Sequence, residues 1–172
     1  MKLQVLDVGS GYNPDPRAQV LLEKFLYGST ESRYSKNVHV RKGQTLICGD
    51  IEAMPFVDKA FDAVICRQAL EHVDNPALAC AELVRVAKSG FITAPNEDQT
   101  RKDIKEGRRL YHKWLLRLTP HVTYGNHLHF FPRELVPSLP KSGYSYRDVI
   151  MYWIDCFYCH VHTDGSQWHT IP

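Results

Sequence analysis

The sequence predicts an α/β fold. The sheet is mostly parallel with flanking helices, an antiparallel strand addition lies at the C-terminal end, and the first helix is shortened or lost. Three observations predict it. Short apolar runs recur at residues 3–8, 19–25, 44–48, 61–66 and 90–94, with a helical pattern between the last two. A Gly9-Ser10-Gly11 break follows directly on the first run. Beyond residue 96 the pattern changes to alternation of period two.

Leu3 to Val8 reads as a short buried strand, apolar and β-branched with one acid, Asp7. Gly9 and Gly11 turn the chain sharply and let a ligand approach bare backbone. A strand running into a glycine turn is where open α/β sheets bind nucleotides. The dinucleotide fingerprint needs a third glycine three residues on, and Pro14 stands there instead. A Gly-Lys-Ser/Thr triplet is absent from the chain as well, which excludes a phosphate-cradling loop. The turn therefore suits a nucleoside ligand without phosphates.

Gln19 to Phe25 is the second strand candidate, with Glu23 near its end. Only eleven residues separate Gly11 from Glu23, and Pro14 and Pro16 fall among them. A crossover with an ordinary helix needs about a dozen or more, so the first helix is expected to be missing or cut to a turn. A carboxylate at a second strand end can accept both hydroxyls of a ribose. The alternative is a solvated strand-end acid.

Residues 27–43 are polar and turn-rich and read as a surface loop. Gln44 to Cys48 is the third strand, followed by Gly49-Asp50-Ile51. Asp50, level with the glycine turn, is placed to accept from an adenine amino group, and Ile51 to wall the ring. The alternative is that Asp50 caps a turn, a common role for this residue. Phe61 to Cys66 is the fourth strand, its continuous apolar run fitting a sheet covered on both faces.

Arg67 to Val73 forms a loop or helical turn. Asn75 then suits an N-cap with Pro76 at the first helical position. The helix runs to about Ala87, with Ala79, Leu83, Val86 and Ala87 on one face and Lys88-Ser89-Gly90 as the stop. Gly90 to Ala94 is the fifth strand, ended by Pro95.

In the second half, Tyr111 to Leu118 alternates, with Trp114, Leu116 and Leu118 on one face. Val149 to Val161 alternates likewise, with Met151, Trp153, Phe157 and Val161 inward and Asp155 the exception. Pro132 to about Leu139 reads as a short helix before Gly143. The expected arrangement is an antiparallel addition to the first sheet.

Composition narrows the classes. The 172 residues suffice for one domain, 1–172, that buries about 70% of its unfolded surface. Apolar content of 44% and charged content of 23% are ordinary for a globular chain, and the net charge of +2 carries no message about partners. No run approaches the roughly 18 apolar residues of a membrane span, and the chain opens on a strand rather than a leader. Five cysteines without framework spacing fit reduced thiols in the cytoplasm.

These residues together resemble the class I S-adenosylmethionine-dependent methyltransferases, in a small branch with a shortened first crossover. The resemblance rests on Leu6-Asp7-Val8-Gly9-Ser10-Gly11 and on Gly49-Asp50-Ile51-Glu52-Ala53-Met54-Pro55-Phe56. Phe61-Asp62-Ala63-Val64-Ile65, Leu70-Glu71-His72-Val73 and Glu82-Leu83-Val84-Arg85-Val86 complete it. It covers roughly residues 3–96 and implies a Rossmann-like sheet with S-adenosylmethionine as cofactor. In its terms residues 1–96 are the cofactor-binding half and 97–172 the substrate-side half. It implies that Asp7, Gly9 and Gly11, with Ser10 between them, line the methionine and ribose. Glu23 would hold the ribose hydroxyls, Asp50 and Ile51 the adenine, and Cys66 and Arg67 would flank the sulfonium. The lost helix and the start directly at the first strand depart from the family's pattern and imply a shallow, open pocket. Methyl transfer to a small-molecule acceptor is the expected function. A catalytically inactive S-adenosylmethionine-binding or interaction protein of the same fold is the alternative.

His72 is the candidate catalytic residue. It lies where an acceptor would approach, and imidazole is suited to take a proton near neutral pH. It could equally pack under the next helix. Cys156-Phe157-Tyr158-Cys159-His160 matches a haem-attachment string, but its odd spacing sends the two cysteines to opposite faces of a strand. A zinc site from Cys156, Cys159, His160 and His162 fails on the same ground, so no metal is expected. His127 and His129 share a face but are too few for a site, and read as exposed or hydrogen-bonded. Residues 101–117 hold seven basic side chains against Asp103 and Glu106, which reads as a solvated face; nucleic acid is not an expected partner.

Overall fold

The computed structural model describes residues 3–26, 38–108, 112–121, 125–139, 148–163 and 167–171. Among them the strands are β1 (Val5–Val8), β2 (Val20–Glu23), β3 (Thr45–Cys48), β4 (Ala63–Arg67), β5 (Ser89–Pro95), β6 (Trp114–His121), β7 (Gly125–Pro132), β8 (Asp148–Ile154), β9 (Tyr158–Thr163) and β10 (Gln167–Ile171). Two α-helices, α1 (Pro76–Val86) and α2 (Glu97–Lys105), accompany them. A single 3-10 turn lies at Leu70–His72, and a two-turn 3-10 helix at Arg133–Ser138, where a short helix is expected.

Six strands form the first sheet in the order β3-β2-β1-β4-β5-β8. All pairs are parallel except β5 with β8, which is the expected antiparallel addition. The chain leaves β1 toward β2 and β3 and then returns on the other side through β4. That reversal opens a crevice at the carboxyl ends of β1 and β4, where sheets of this class take ligands. Leu6, Val8, Leu21, Leu22, Val64, Ile65 and Cys66 are buried on the two faces, which is why their runs read as continuously apolar.

The two faces are unequally covered. On one, Leu6, Val8, Leu22, Leu83, Ile92, Met151 and Trp153 join Leu116, Leu128 and Phe130 in a large core. On the other, Val5, Ala18, Leu21 and Ile65 are the buried apolar side chains, with Leu46, Ala63 and Phe91 partly covered. This thin layer is the consequence of the first crossover, which between β1 and β2 contains turns and no helix, as its length and prolines require.

The Asn75 side chain caps α1, accepting from the backbone N–H of Ala77 at 3.1 Å and of Leu78 at 3.2 Å. Its C-terminal end is closed otherwise than expected. Lys59 Nζ donates to the Val84 and Ala87 carbonyls at 2.8 and 3.0 Å, while Lys88 pairs with Asp62 at 2.7 Å. Gly90 lies inside β5 rather than stopping the helix. A Cβ there would meet the Trp153 indole at 2.4 Å, so the strand admits the ring only because glycine has no side chain.

The second half corrects the expectation of one enlarged sheet. β10, β9, β7 and β6 form a separate four-stranded sheet in that order, with β7 and β9 parallel and the other pairs antiparallel. The alternation from 149 to 161 is not one strand. Asp155 takes a left-handed conformation (φ 64°), a region that Asp tolerates, and the chain passes there from β8 in the first sheet to β9 in the second. Met151, Trp153, Phe157 and Val161 are nevertheless all buried, as the alternation requires. Leu116 is core and Trp114 and Leu118 pack against it, but Leu115 on the opposite face is fully buried too. Helix α2 is unexpected. Asn96 caps it by accepting from Gln99 N at 2.6 Å, and its only strong apolar residue is Ile104. Part of the expected loop, residues 27–37, and Tyr111 lie outside the described residues. No helix among the described residues is long and apolar enough to cross a membrane.

Candidate functional site

The crevice is built on Gly9 and Gly11, both left-handed (φ 68° and 55°). At Gly9 a Cβ would lie 3.0 Å from the Ala69 Cβ, so the turn after β1 abuts the start of the 70–72 turn after β4. Glu23, at the end of β2, folds its carboxylate back onto the glycine turn. Its Oε1 accepts from Ser10 Oγ at 3.0 Å and from Gly11 N at 2.5 Å. Sequence reasoning placed Glu23 at the end of the second strand, and the structure brings it onto the glycine turn.

Asp7 is fully buried. Its Oδ2 accepts from Asp15 N at 2.7 Å and from Arg67 Nη2 at 3.2 Å, and that guanidinium also donates to the Asn13 carbonyl at 2.9 Å. Burial raises the Asp7 pKa, against the opposing pull of Asp15 N–H and of Arg67. The other oxygen, Oδ1, is buried with no hydrogen-bond partner among the described residues. Asp15 in turn is clamped by Arg17, whose hydrogen bonds hold its pKa down to about 2.

Asp50 sits past β3, where it caps a turn and pairs with a lysine. Its Oδ1 accepts from Glu52 N at 3.0 Å, a turn cap, and its Oδ2 lies 2.7 Å from Lys24 Nζ. The Asp50 hydrogen bond raises the Lys24 pKa. Ile51 is partly buried against the main core. Cys66 is fully buried within that core, whereas Arg67, next in β4, reaches back to Asp7.

His72 stands in the 70–72 turn with its Nε2 3.3 Å from Glu71 Oε1. Its ring meets that of His112 edge to face, centroids 4.6 Å apart. Three contacts lace the start of β6 to this turn. Lys113 N donates to the Glu71 carbonyl at 2.8 Å, Trp114 Nε1 to the Val73 carbonyl at 2.8 Å, and Lys113 Nζ pairs with Asp74. Glu71 and His112 escaped sequence reasoning, because nothing in their spacing says that residues so far apart are zipped together.

The histidines of β7 and β9 form a second group. His127 Nδ1 lies 2.8 Å from His160 Nε2, and His129 Nδ1 3.2 Å from His162 Nε2. The expectation that His127 and His129 are hydrogen-bonded holds, with partners that sequence reasoning missed. Two His-x-His pairs, 127/129 and 160/162, were the available signal. Their rings stack alternately, with Tyr158 against His127 and Phe131 against His162. Burial first, then the neighbouring imidazoles, push His129 down to about 4 and lower His160 as well; burial also lowers His162. Cys156 is exposed and Cys159 buried, so the haem-type string does not converge.

The basic run of residues 101–117 is largely committed within the protein. Arg101 and Arg117 both bond the buried Glu97, Arg108 pairs with Asp103 and Glu106, and Lys113 with Asp74.

Comparison with known proteins agrees with this geometry. The profile of a family described as methyltransferase domain matches residues 6–93, more than half of the chain, from within β1 into β5. A demethylmenaquinone methyltransferase of Renibacterium salmoninarum is 31% identical over 123 residues, 69% of this chain and 51% of that protein. A demethylmenaquinone methyltransferase of Thermobifida fusca is 46% identical over 50 residues, 29% of this chain and 21% of that one. The chain thus spans about half, or less, of the curated relatives that it matches. Among solved structures, an S-adenosylmethionine-dependent methyltransferase of Thermotoga maritima, described as a possible histamine N-methyltransferase, is 18% identical. It superposes with a TM-score of 0.48 over 64% of this chain and 55% of that one. With the glycine turn, the strand-end acid and the reversed strand order all inside the matched span, the chain belongs to the class I S-adenosylmethionine-dependent methyltransferase family.

Proposed function

We propose that this chain binds S-adenosylmethionine in the β1–β4 crevice and transfers its methyl group to a small-molecule acceptor. The observation that carries the reading is the Glu23 carboxylate seated on Ser10 and Gly11 across the β1–β2 edge. The residues fit the ligand. The buried Asp7 Oδ1 has hydrogen-bonding capacity to offer a cationic amino group. Asp7, Gly9, Ser10 and Gly11 hold the methionine and ribose in this reading, Glu23 the ribose hydroxyls, Asp50 and Ile51 the adenine. Cys66 and Arg67 complete the wall near the sulfonium.

When bound, the cofactor supplies a methyl carbon on a sulfonium, which an acceptor lone pair takes as the carbon–sulfur bond breaks. The chain's own task is mainly to hold the acceptor in line. In this reading His72, 3.3 Å from the Glu71 carboxylate, receives a proton from the acceptor. The relatives' name, demethylmenaquinone methyltransferase, supports a small-molecule acceptor. Calorimetry with S-adenosylhomocysteine and with NAD tests the binding half: binding of the first is expected, and tight NAD binding without it would end the reading. Turnover assays with candidate acceptors test the rest. Binding without turnover on any acceptor returns the alternative of an inactive binding protein.

A further inference from the structure

We infer that Glu71, His72 and His112 form a site for one divalent transition-metal cation. Each offers one ligand atom, and the three atoms lie within 4.8 Å of one another. Two imidazoles and one carboxylate converging from one side are a donor set that borderline cations such as Zn²⁺, Co²⁺, Mn²⁺ and Fe²⁺ accept, with positions left for water or a substrate oxygen. Mg²⁺, which takes oxygen donors and keeps its waters, is disfavoured by two nitrogens.

The site is assembled rather than accidental. Glu71 and His112 are 1% and 4% exposed, and the His72 side chain is 7% exposed, so the donors are held among packed atoms instead of waving in solvent. Glu71 and His72 come from the turn after β4, and His112 from the segment entering β6. The Lys113 N–H on the Glu71 carbonyl and the Trp114 indole N–H on the Val73 carbonyl fix these two segments against each other. Arg133 Nη1, 3.4 Å from the His112 carbonyl, holds that residue from a third direction.

The role of the site, though not its existence, rests on the methyl-transfer reading. The 70–72 turn begins at Ala69, which touches Gly9 of the crevice. A cation there would bind a hydroxyl of the acceptor and lower its pKa, so that its proton leaves to water and the remaining oxyanion is the nucleophile. The cation then replaces His72 as the means of activating the acceptor, and it selects acceptors that carry an oxygen nucleophile.

The experiment uses the whole chain, stripped with a chelator and titrated with Co²⁺ by visible absorption and with Zn²⁺ and Mg²⁺ by calorimetry. One Co²⁺ or Zn²⁺ per chain is expected, with Mg²⁺ much weaker. Glu71→Gln and His112→Gln are each expected to weaken uptake by at least about tenfold, since even residues that only orient ligands cost that much. Thermal melts of the stripped variants show whether each has folded, and either variant alone suffices. Paired His127→Ala and His129→Ala substitutions should leave uptake unchanged. Uptake that is absent, that survives both cluster variants, or that disappears with His127 and His129 overturns the inference. S-adenosylhomocysteine binding, measured on the same samples, separates the two readings. If it binds and the cation does not, the metal site alone falls. If the cation binds and it does not, the metal site stands and the methyl-transfer reading falls.

Discussion

Glu23 Oε1 accepts the backbone N–H of Gly11 at 2.5 Å, joining the end of β2 to the turn after β1 without an intervening helix. A carboxylate has about four lone-pair sites, so this bond does not exhaust it, and it aims the group at the crevice. If Glu23 holds the ribose hydroxyls, Glu23→Gln keeps the shape but removes a charge-assisted pair worth roughly 1.5–3 kcal/mol. S-adenosylhomocysteine affinity should fall by about ten- to over a hundredfold in a calorimetric titration. Unchanged affinity would remove Glu23 from the site.

Asp50 caps the turn at Glu52 and pairs with Lys24. If its carboxylate also receives the adenine amino group, an oxygen at that place on the ring sets two acceptors against each other. S-inosylhomocysteine should bind much more weakly than S-adenosylhomocysteine to the native protein, and the gap should shrink in Asp50→Ala. The same preference in both proteins would reduce Asp50 to a turn cap.

Gly90→Ala should destabilise the fold. Its Cβ would fall 2.4–2.6 Å from three atoms of the Trp153 indole, and such overpacking costs about 1–3 kcal/mol. For a chain of this size each kcal/mol moves Tm by about 2–4 °C. In a Trp153→Phe background the same substitution should cost less, because the obstructing ring is smaller. Equal losses in both backgrounds would show that the indole is not what Gly90 accommodates.

Stability should fall on acidification through the histidine stack. His129 has a folded pKa near 4, below its ordinary value, so the folded protein binds fewer protons than the unfolded chain. Its contribution is complete above pH about 6.5 and is lost as the pH falls toward 4, and the lowered His160 and His162 act in the same direction. Chemical denaturation at a series of pH values should show this slope, and His129→Gln should flatten it. A slope of the same size in that variant would assign the acid sensitivity elsewhere.

What could be read in the chain beforehand follows from how local each signal is. The runs at 5–8, 20–23, 45–48, 63–67 and 89–95 announce themselves because both faces of the first sheet are covered, at least thinly, by apolar groups. The Asn75-Pro76 start of α1 is likewise a property of adjacent residues. Helix α2 escaped because it has almost no apolar face; its buried polar groups are Glu97, Thr100 and Asp103, held by arginines and caps. Its one local signal was Asn96 followed by Gln99. The second sheet escaped because the parallel register of His129 with His160 joins distant segments, and because Asp155 looks like a tolerated exception in a strand until its backbone is seen. Among the site residues Glu23 and the glycine turn were legible, and the neighbours of His72 were not.

The antiparallel pairing of β8 with β5 sets an order of events during synthesis. Strands β1 to β5 leave the ribosome with the bonding edge of β5 open, and the partner that closes it, Asp148–Ile154, is made only after α2, β6 and β7. Until then the groove that Gly90 keeps for Trp153 has no indole in it, and a row of unpaired amides and carbonyls faces outward. A nascent chain stalled or cleaved between the two strands would therefore carry an adhesive sheet edge, and premature termination should yield insoluble material rather than a working half.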